Sequence, residues 1–208
     1  MGRSILAAAR RWPLLCAATL LLAACGKAVE TPGCDYTSEN LLDDPIFETL
    51  DAPKSRRRWQ FSEHAAGKSF EYGASDGVLT IEQQGIEPWG MVKQTVNSKP
   101  LRGRLLEFKA ELKLDLDPPA QPHGFTLGGG LSIMAKSNNR LQLSSAMDHE
   151  PHMGKHDWFT ARVVTAMPRQ MNFLQVGFLH QAGGVMQVRN PSLRVVADGC
   201  PATVTATP

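Results

Sequence analysis

The sequence predicts an all-β protein, built as one antiparallel β-sandwich of the jelly-roll type. Three observations lead to this prediction: many short segments with strand character, turn residues between them about every ten residues, and no long window in which apolar residues recur three and four apart. Eighteen glycines and fourteen prolines among 208 residues agree with a chain rich in turns. Because the pattern offers no helices to cross over between parallel strands, the strands are expected to pair antiparallel.

The clearest predicted strand is residues 104–115. Leu106, Phe108 and three further apolar residues alternate with glutamate, lysine and aspartate, so one face of the strand is apolar and the other is charged. Such a charged face is typical of a solvent-exposed sheet surface, and it discourages pairing between sheet edges. Eight further segments between turn clusters are predicted as strands: 78–83, 91–96, 130–135, 140–145, 158–165, 172–180, 185–189 and 193–196.

The first 24 residues indicate an export signal. Arg3, Arg10 and Arg11 precede an apolar run around residues 14–22 that is too short to cross a bilayer as a stable helix. Removing these arginines lowers the basic side chains from 22 to 19 against 20 acidic ones, and the formal charge changes from +2 to −1. This balance does not favour nucleic acid, which binds strongly basic surfaces, so no nucleic-acid partner is expected.

The segment Leu22-Ala23-Ala24-Cys25 resembles the bacterial lipobox, the cleavage site of lipoproteins. The resemblance implies that residues 1–24 are removed, that Cys25 is acylated, and that residues 25–33 tether the protein to a membrane. Gly26 follows the cysteine where retention in the inner membrane typically requires aspartate, which implies the outer membrane, at its periplasmic face. An ordinary secretion signal with a chance cysteine is the alternative.

Two cysteines, Cys34 and Cys200, remain near the ends of the predicted sandwich domain, residues 34–201, in a compartment that allows disulfides. If they pair, the disulfide closes a loop of more than 160 residues. Such a disulfide stabilises the fold by roughly 5 kcal/mol in the chain-entropy treatment, and it requires both ends of the domain to lie side by side. Two free thiols are the alternative. Residues 202–208 are predicted to be a flexible tail.

Three segments resemble the galactose-binding type of jelly roll found in carbohydrate-binding modules. Residues 40–48 (NLLDDPIFE) are similar to the opening strand of those modules, residues 89–94 (WGMVKQ) to a strand that carries Trp and Gln, and residues 185–193 (VMQVRNPSL) to the closing strand. The resemblance implies a sandwich that binds sugar without transforming it. The same architecture also serves adhesins and enzyme accessory domains, so it does not decide function alone.

Many modules of this type hold a structural calcium ion between an acidic residue of the first strand and an aspartate near the end of the last. Glu48 occupies the first of these places, but Asn190 stands where the aspartate is expected. Calcium prefers charged oxygen ligands, so this replacement weakens the implied site. No cofactor is therefore expected, and a calcium ion held through Glu48 is the alternative.

Sugar-binding modules stack an aromatic ring on a pyranose and satisfy its hydroxyls with polar side chains. Trp89 lies at the entrance of a predicted strand and is the first candidate for such a contact, assisted by Gln94, Tyr72 and Arg140. A core tryptophan that closes one end of the sandwich is the alternative interpretation of Trp89.

Three of the six histidines, His149, His152 and His156, lie within eight positions, among methionine and acidic side chains. Imidazole, carboxylate and thioether groups are ligands for zinc or copper. However, Pro151 and Gly154 interrupt the segment, and its spacing matches no helical metal motif, so a flexible polar loop is the simpler interpretation. We therefore predict no metal site, and these histidines are the candidates if one exists.

The sequence lacks the constellations of common enzymes. Glu107, Glu111 and Asp115 belong to the regularly charged face of one strand rather than to a glycosidase pair, and neither a nucleophile elbow nor a phosphate-binding loop occurs. We therefore expect no catalytic activity. Two functions remain: an outer-membrane lipoprotein that binds a cell-envelope or exported polysaccharide, or a structural and assembly lipoprotein that docks an envelope protein partner.

Overall fold

The computed structural model describes residues 35–65, 67–146, 151–199 and 204–206. The predicted lipidation site Cys25, the cysteines Cys34 and Cys200, and His149 lie outside these residues. The described part of the chain contains eleven strands and one turn of 3-10 helix, Lys99–Leu101. No helix within it has the length and hydrophobicity needed to span a membrane.

The strands form two antiparallel sheets. In chain order they are β1 (Gln60–Glu63), β2 (Phe70–Ser75), β3 (Val78–Gln83), β4 (Gly90–Val96), β5 (Leu105–Asp117), β6 (Gly128–Ser137), β7 (Arg140–Ala146), β8 (Gly154–Ala166), β9 (Phe173–Gln181), β10 (Gly183–Val195) and β11 (Val204–Ala206). One sheet has five strands in the order β1-β4-β9-β6-β7, and the other has six in the order β11-β8-β5-β10-β3-β2. Each pair of neighbours is antiparallel. The predicted antiparallel sandwich is confirmed.

The alternating segment 104–115 is strand β5, and its pattern produces the two expected faces. Its apolar residues from Leu106 to Leu116 are buried between the sheets, and Lys113 on the opposite face is exposed. Glu107 differs from the prediction, because it is only 2% exposed. The Tyr36 hydroxyl and the Arg162 guanidinium both donate hydrogen bonds to its carboxylate and cover it.

Strand β10 joins two segments that were predicted as separate strands, 185–189 and 193–196. Its register with β5 shifts between Arg189 and Ser192. In this interval Asn190 has a φ of 52°, and Pro191 has no amide hydrogen to donate to the ladder. A bulge accommodates both residues without ending the strand, which explains why the local pattern was interrupted although pairing continues.

Two predictions of flexible segments need correction. Val204–Ala206 in the predicted tail forms β11 and pairs with Ala161–Val163 of β8, so these residues extend the six-stranded sheet. Strand β8 begins at Gly154, and therefore the end of the predicted histidine-rich loop belongs to a strand. Strands β1 and β2 were not predicted, because β1 has only four residues and β2 contains polar residues and a glycine.

Aromatic rings fill the core between the sheets. The centroid of the Trp59 ring lies 5.3 Å from that of Phe47 and 5.5 Å from that of Phe178, which in turn lies 5.8 Å from Phe108. All four rings are at most 2% exposed. Trp59 and Phe47 precede β1, so the long opening segment contributes to the core although it forms no regular strand. Trp59 is thus a core residue.

The two ends of the described sandwich lie side by side. The amide of Ala197 donates a hydrogen bond of 2.8 Å to the carbonyl oxygen of Asp35, and Tyr36 forms an antiparallel bridge with Val196. This is the geometry that a Cys34–Cys200 disulfide requires of the neighbouring residues. The disulfide itself stays a prediction.

Candidate functional site

Three loops bring aromatic rings together at one end of the sandwich. Glu63 ends β1 opposite Gly90 at the start of β4, and Gly90 lies opposite His180 near the end of β9. The residues just beyond this level therefore project from the same end. They include four side chains that we call the ring cluster: His64 from the β1–β2 loop, Trp89 from the β3–β4 loop, and His123 and Phe125 from the β5–β6 loop.

The rings of the cluster meet edge to face. The His64 ring lies 6.2 Å from Trp89 and 5.5 Å from Phe125, and the His123 ring lies 5.7 Å from Phe125. Phe125 is 42% exposed, and Trp89 is half-buried. Because edge-to-face contacts leave ring faces uncovered, the cluster presents apolar faces to solvent.

Polar groups surround these ring faces. The Oε2 atom of Glu87 lies 3.2 Å from Nδ1 of His64, and the amide of Gln83 donates to the Glu87 carbonyl at 2.9 Å, which fixes the loop. Nδ1 of His123 accepts a hydrogen bond from the Phe125 amide, while its Nε2 has no partner among the described residues. In such an arrangement the ring faces can contact the apolar side of a sugar ring, while the carboxylate and imidazole groups can form hydrogen bonds with its hydroxyls.

Trp89 is the predicted ligand residue that the structure places in this cluster. Its ring is half-buried and does not belong to the buried core cluster, which favours the ligand contact over the core plug considered as the alternative. Tyr72 lies nearby but below the surface: its ring stacks on Phe61 at 4.4 Å, and its hydroxyl donates to Glu63 at 3.4 Å. Burial, followed by the charge of Glu63, raises the pKa of Tyr72. Tyr72 therefore supports the end of β1 and does not present a free ring face.

Gln94 and Arg140 do not join Trp89. Gln94 lies five residues further along β4, about 17 Å away, and points into the sandwich with 2% exposure. Its Oε1 accepts a hydrogen bond of 2.9 Å from the Asp43 amide and so fastens the opening segment. Arg140 is exposed at the β6–β7 turn, at the opposite end of the five-stranded sheet. The four predicted ligand residues therefore do not form one site.

The described histidines of the 149–156 segment pack against an aromatic ring. His152 and His156 lie 6.3 Å apart, and their rings contact Phe159 at 4.9 Å and 5.7 Å. Nε2 of His156 lies 2.8 Å from the carbonyl oxygen of Met153. Within the described ranges, no three His, Cys, Asp or Glu side chains converge as metal ligands.

The two residues of the implied calcium site, Glu48 and Asn190, have surroundings that differ from each other. Glu48 is exposed in a turn, whereas Asn190 donates its side-chain amide to Oε1 of Glu111 at 2.8 Å. The opening segment is held by the Asn40 side chain instead. Its amide donates to the Pro191 carbonyl at 3.1 Å, and its oxygen accepts from the amides of residues 42 and 193. Protein hydrogen bonds thus connect the first and last parts of the sandwich.

No protein-family model and no curated protein matches the sequence. Solved structures match in fold. The enzymatically active domain of tailspike protein 4 from bacteriophage CBA120 has a TM-score of 0.52 at 10% identity, over 76% of this chain and 21% of that chain. A protein from Bacteroides thetaiotaomicron, described as sugar-binding, has a TM-score of 0.48 at 12% identity, over 76% and 100% of the two chains. TmCBM61, solved with β-1,4-galactotriose, has a TM-score of 0.45 at 13% identity, over 75% and 98%.

These similarities concern the fold. The chain spans about a fifth of the tailspike domain, and its other structural neighbours include carbohydrate-binding modules of families 16 and 22. The two antiparallel sheets confirm the predicted sandwich, and the tailspike match agrees with it in fold. Because the sequence identities are this low, the matches show a common fold and do not show a common ligand.

Residues of the ring cluster other than Trp89 were missed from the sequence. His64, His123 and Phe125 are single residues in polar, turn-rich segments, and nothing in their local spacing distinguishes them. They become a group only because β1, β4 and β6 share a sheet and their loops leave it at the same end. The register of the strands is the missing information.

Proposed function

We propose that this protein is an outer-membrane lipoprotein whose jelly-roll domain binds a polysaccharide without transforming it, through the ring cluster. The observation that carries the proposal is the convergence of Trp89, His64 and Phe125 from three separate loops, with ring faces open to solvent. A pyranose presents an apolar C–H face of similar size, and burying it against these rings removes apolar surface from water. Sugar-binding modules among the structural neighbours agree with this proposal.

The polar groups of the site favour binding over hydrolysis. Glu87 is held by His64 at 3.2 Å and can accept hydrogen bonds from sugar hydroxyls. Glycoside hydrolysis needs two carboxylates placed on either side of the scissile bond. In the described part of the chain, Glu87 is the carboxylate that contacts the ring cluster. We therefore assign it a binding role.

The proposed location follows from the lipobox resemblance. Acylation of Cys25 would hold the sandwich at the outer membrane, next to envelope glycans and exported polysaccharides. A polysaccharide is therefore the ligand class that this compartment and the ring cluster have in common.

A polysaccharide array probed with the full-length protein in detergent tests the proposal. Trp89→Ala and Phe125→Ala are each expected to weaken binding about 10- to 100-fold, because each removes a stacking surface. Trp158→Ala is the matched control, since Trp158 is also half-buried but lies on the other sheet, 4.1 Å beneath the Arg189 guanidinium. Absence of any glycan binding, or unchanged binding by Trp89→Ala, would contradict the proposal.

A further inference from the structure

The outer faces of the two sheets differ in charge. On the six-stranded sheet, acidic and basic side chains alternate and pair, as in the 3.1 Å contact between Lys155 Nζ and Asp115 Oδ2. On the five-stranded sheet, the outward positions of the described strands include Lys93 and Lys136 but no aspartate or glutamate. A surface with unbalanced positive charge attracts anions.

Three residues define this surface, which we call the lysine face: Lys93 on β4, Phe173 on β9, and Lys136 on β6. Lys93 is paired with Gly177 of β9, and Lys136 is paired with Phe173. The two lysines therefore stand on either side of β9 and about 13 Å apart along it. Gln175 lies between their levels but is only 9% exposed, so the two lysines and Phe173 are the groups that a ligand can contact.

The two lysines carry the same charge, and their surroundings in the described part of the chain leave that charge unbalanced. Neither takes part in a salt bridge with another described residue. Partial burial, together with the charge of Lys136, lowers the pKa of Lys93. Lys136 Nζ lies 5.7 Å from the centroid of the Phe173 ring, which it helps to orient. Negative charge between the two ammonium groups would offset their repulsion.

The lysine face is continuous with the ring cluster. Side chains alternate along a strand, so Trp89, Met91 and Lys93 share the outward side of β4, with about 13 Å between the first and the last. Gly177 adds no side chain to this face, and a larger residue would not fit there, since its Cβ would meet the Val92 carbonyl oxygen at 2.3 Å. The result is a track along which an extended polymer can lie.

We infer that this track binds an acidic polysaccharide, a polyuronate, with carboxylates at Lys93 and Lys136 and sugar rings against Trp89 and Phe173. The inference rests on the proposed glycan binding and adds the charge of the ligand. Arg140 pairs with Ser137 rather than with Lys136, so its side chain belongs to the other face of the sheet and is not part of this track. A charged sugar chain can both stack on the aromatic rings and pair with the lysines. A polyanion without sugar rings can only pair with the lysines, so the track should bind it more weakly.

Titration of the full-length protein in detergent with polygalacturonate, neutral pullulan and polyglutamate tests the inference. The double variant Lys93→Gln/Lys136→Gln is expected to bind polygalacturonate about tenfold more weakly or worse, with a shallower salt dependence. Lys113→Gln/Lys155→Gln is the control, because these lysines pair with acids on the other sheet, and it should change binding by less than about twofold. Lys93→Arg/Lys136→Arg should retain binding, which shows that charge rather than folding is responsible.

Several outcomes would overturn the inference. Polyglutamate binding as tightly as polygalacturonate would show that charge alone is recognised, and an equal loss in the control variant would show that the site lies elsewhere. Binding of neutral glycans through Trp89 without any polyuronate binding would overturn this inference and leave the proposed function intact. Failure of every glycan to bind would overturn both.

Discussion

Nε1 of Trp59 donates a hydrogen bond of 2.7 Å to the carbonyl oxygen of Asp44. The carboxylate of the same aspartate, which is only 5% exposed, accepts hydrogen bonds from the amides of Glu48 and Thr49 and from the Thr49 hydroxyl. Asp44 thus connects the turn of the opening segment to the central core tryptophan. The irregular segment before β1 is therefore part of the folded core.

Trp59→Phe is expected to lower the free energy of unfolding by about 1–3 kcal/mol, because the Asp44 carbonyl loses the shorter of its two hydrogen bonds and keeps only the 3.3 Å bond from the Phe47 amide, and because the core loses part of the indole ring. Urea unfolding measures this change. Trp158→Phe is the control: Trp158 is half-buried on a sheet surface, and the change should be within about 0.5 kcal/mol. Equal losses in the two variants would contradict the prediction.

Stability is expected to fall in mild acid because of His180. Its side chain is 0% exposed and packs 5.4 Å from the Phe70 ring, and burial lowers its pKa to about 4. In the unfolded chain histidine protonates near pH 6.5, so between about pH 6.5 and pH 4 the unfolded state binds more protons and is favoured. The loss is about 1.4 kcal/mol per pH unit, or about 3 kcal/mol in all.

Urea unfolding of the wild-type protein and of His180→Leu across this pH range measures the effect. The variant has no group to protonate at this position, so its stability should depend less steeply on pH. The same slope for both proteins would show that other groups cause the acid sensitivity.

Gly90→Ala is expected to destabilise the sandwich by about 1–3 kcal/mol, because a Cβ at this position would lie 2.5–2.8 Å from atoms of the buried Phe70 ring. Since Trp89 directly precedes Gly90, weaker glycan binding should accompany the loss of stability. Gly73→Ala is the matched control in β2, the edge strand of the other sheet, where a Cβ would meet no atom within 4 Å. Thermal unfolding and the array assay together test the prediction, and similar behaviour of both variants would count against it.

We predict that Cys34 and Cys200 form a disulfide. Their neighbours support this pairing, because the Ala197 amide bonds to the Asp35 carbonyl at 2.8 Å. Mass spectrometry of the unreduced, protease-digested protein should find the two peptides linked. Reduction should then lower stability by up to roughly 5 kcal/mol, and Cys34→Ser/Cys200→Ser should be insensitive to reductant. Alkylation of both thiols in the native protein without prior reduction would refute the pairing.

The fold was predictable where one strand face meets the core and the other meets solvent. Strand β5 shows this most clearly, since its alternation follows directly from burial between two sheets. Strand β10 was divided in the prediction because the bulge at Asn190 and Pro191 looks like a turn locally, and only the ladder with β5 reveals one strand. The short strand β1 exists because β4 pairs with it, which no local pattern records.

The candidate site was predictable only at Trp89. His64 and Phe125 come from separate loops, and strand register alone places Lys93 and Lys136 on the two sides of β9. Gln94 was misleading for the same reason. It is only five residues from Trp89 in sequence, but in an extended strand this separation is about 17 Å and places the two side chains on opposite faces of the sheet. Chemistry that depends on sheet pairing is not encoded in short motifs.

The polypeptide enters the sandwich at the pole opposite its aromatic end. Tyr36 pairs with Val196, just past the end of β10, whereas Trp89 lies at the level of His180, near where that strand begins. The 13 residues of β10 separate these poles by about 40 Å. The aromatic end is therefore the end of the sandwich far from Asp35, where the described chain begins, and a polymer bound at Trp89 would contact the domain about one sandwich length from that point.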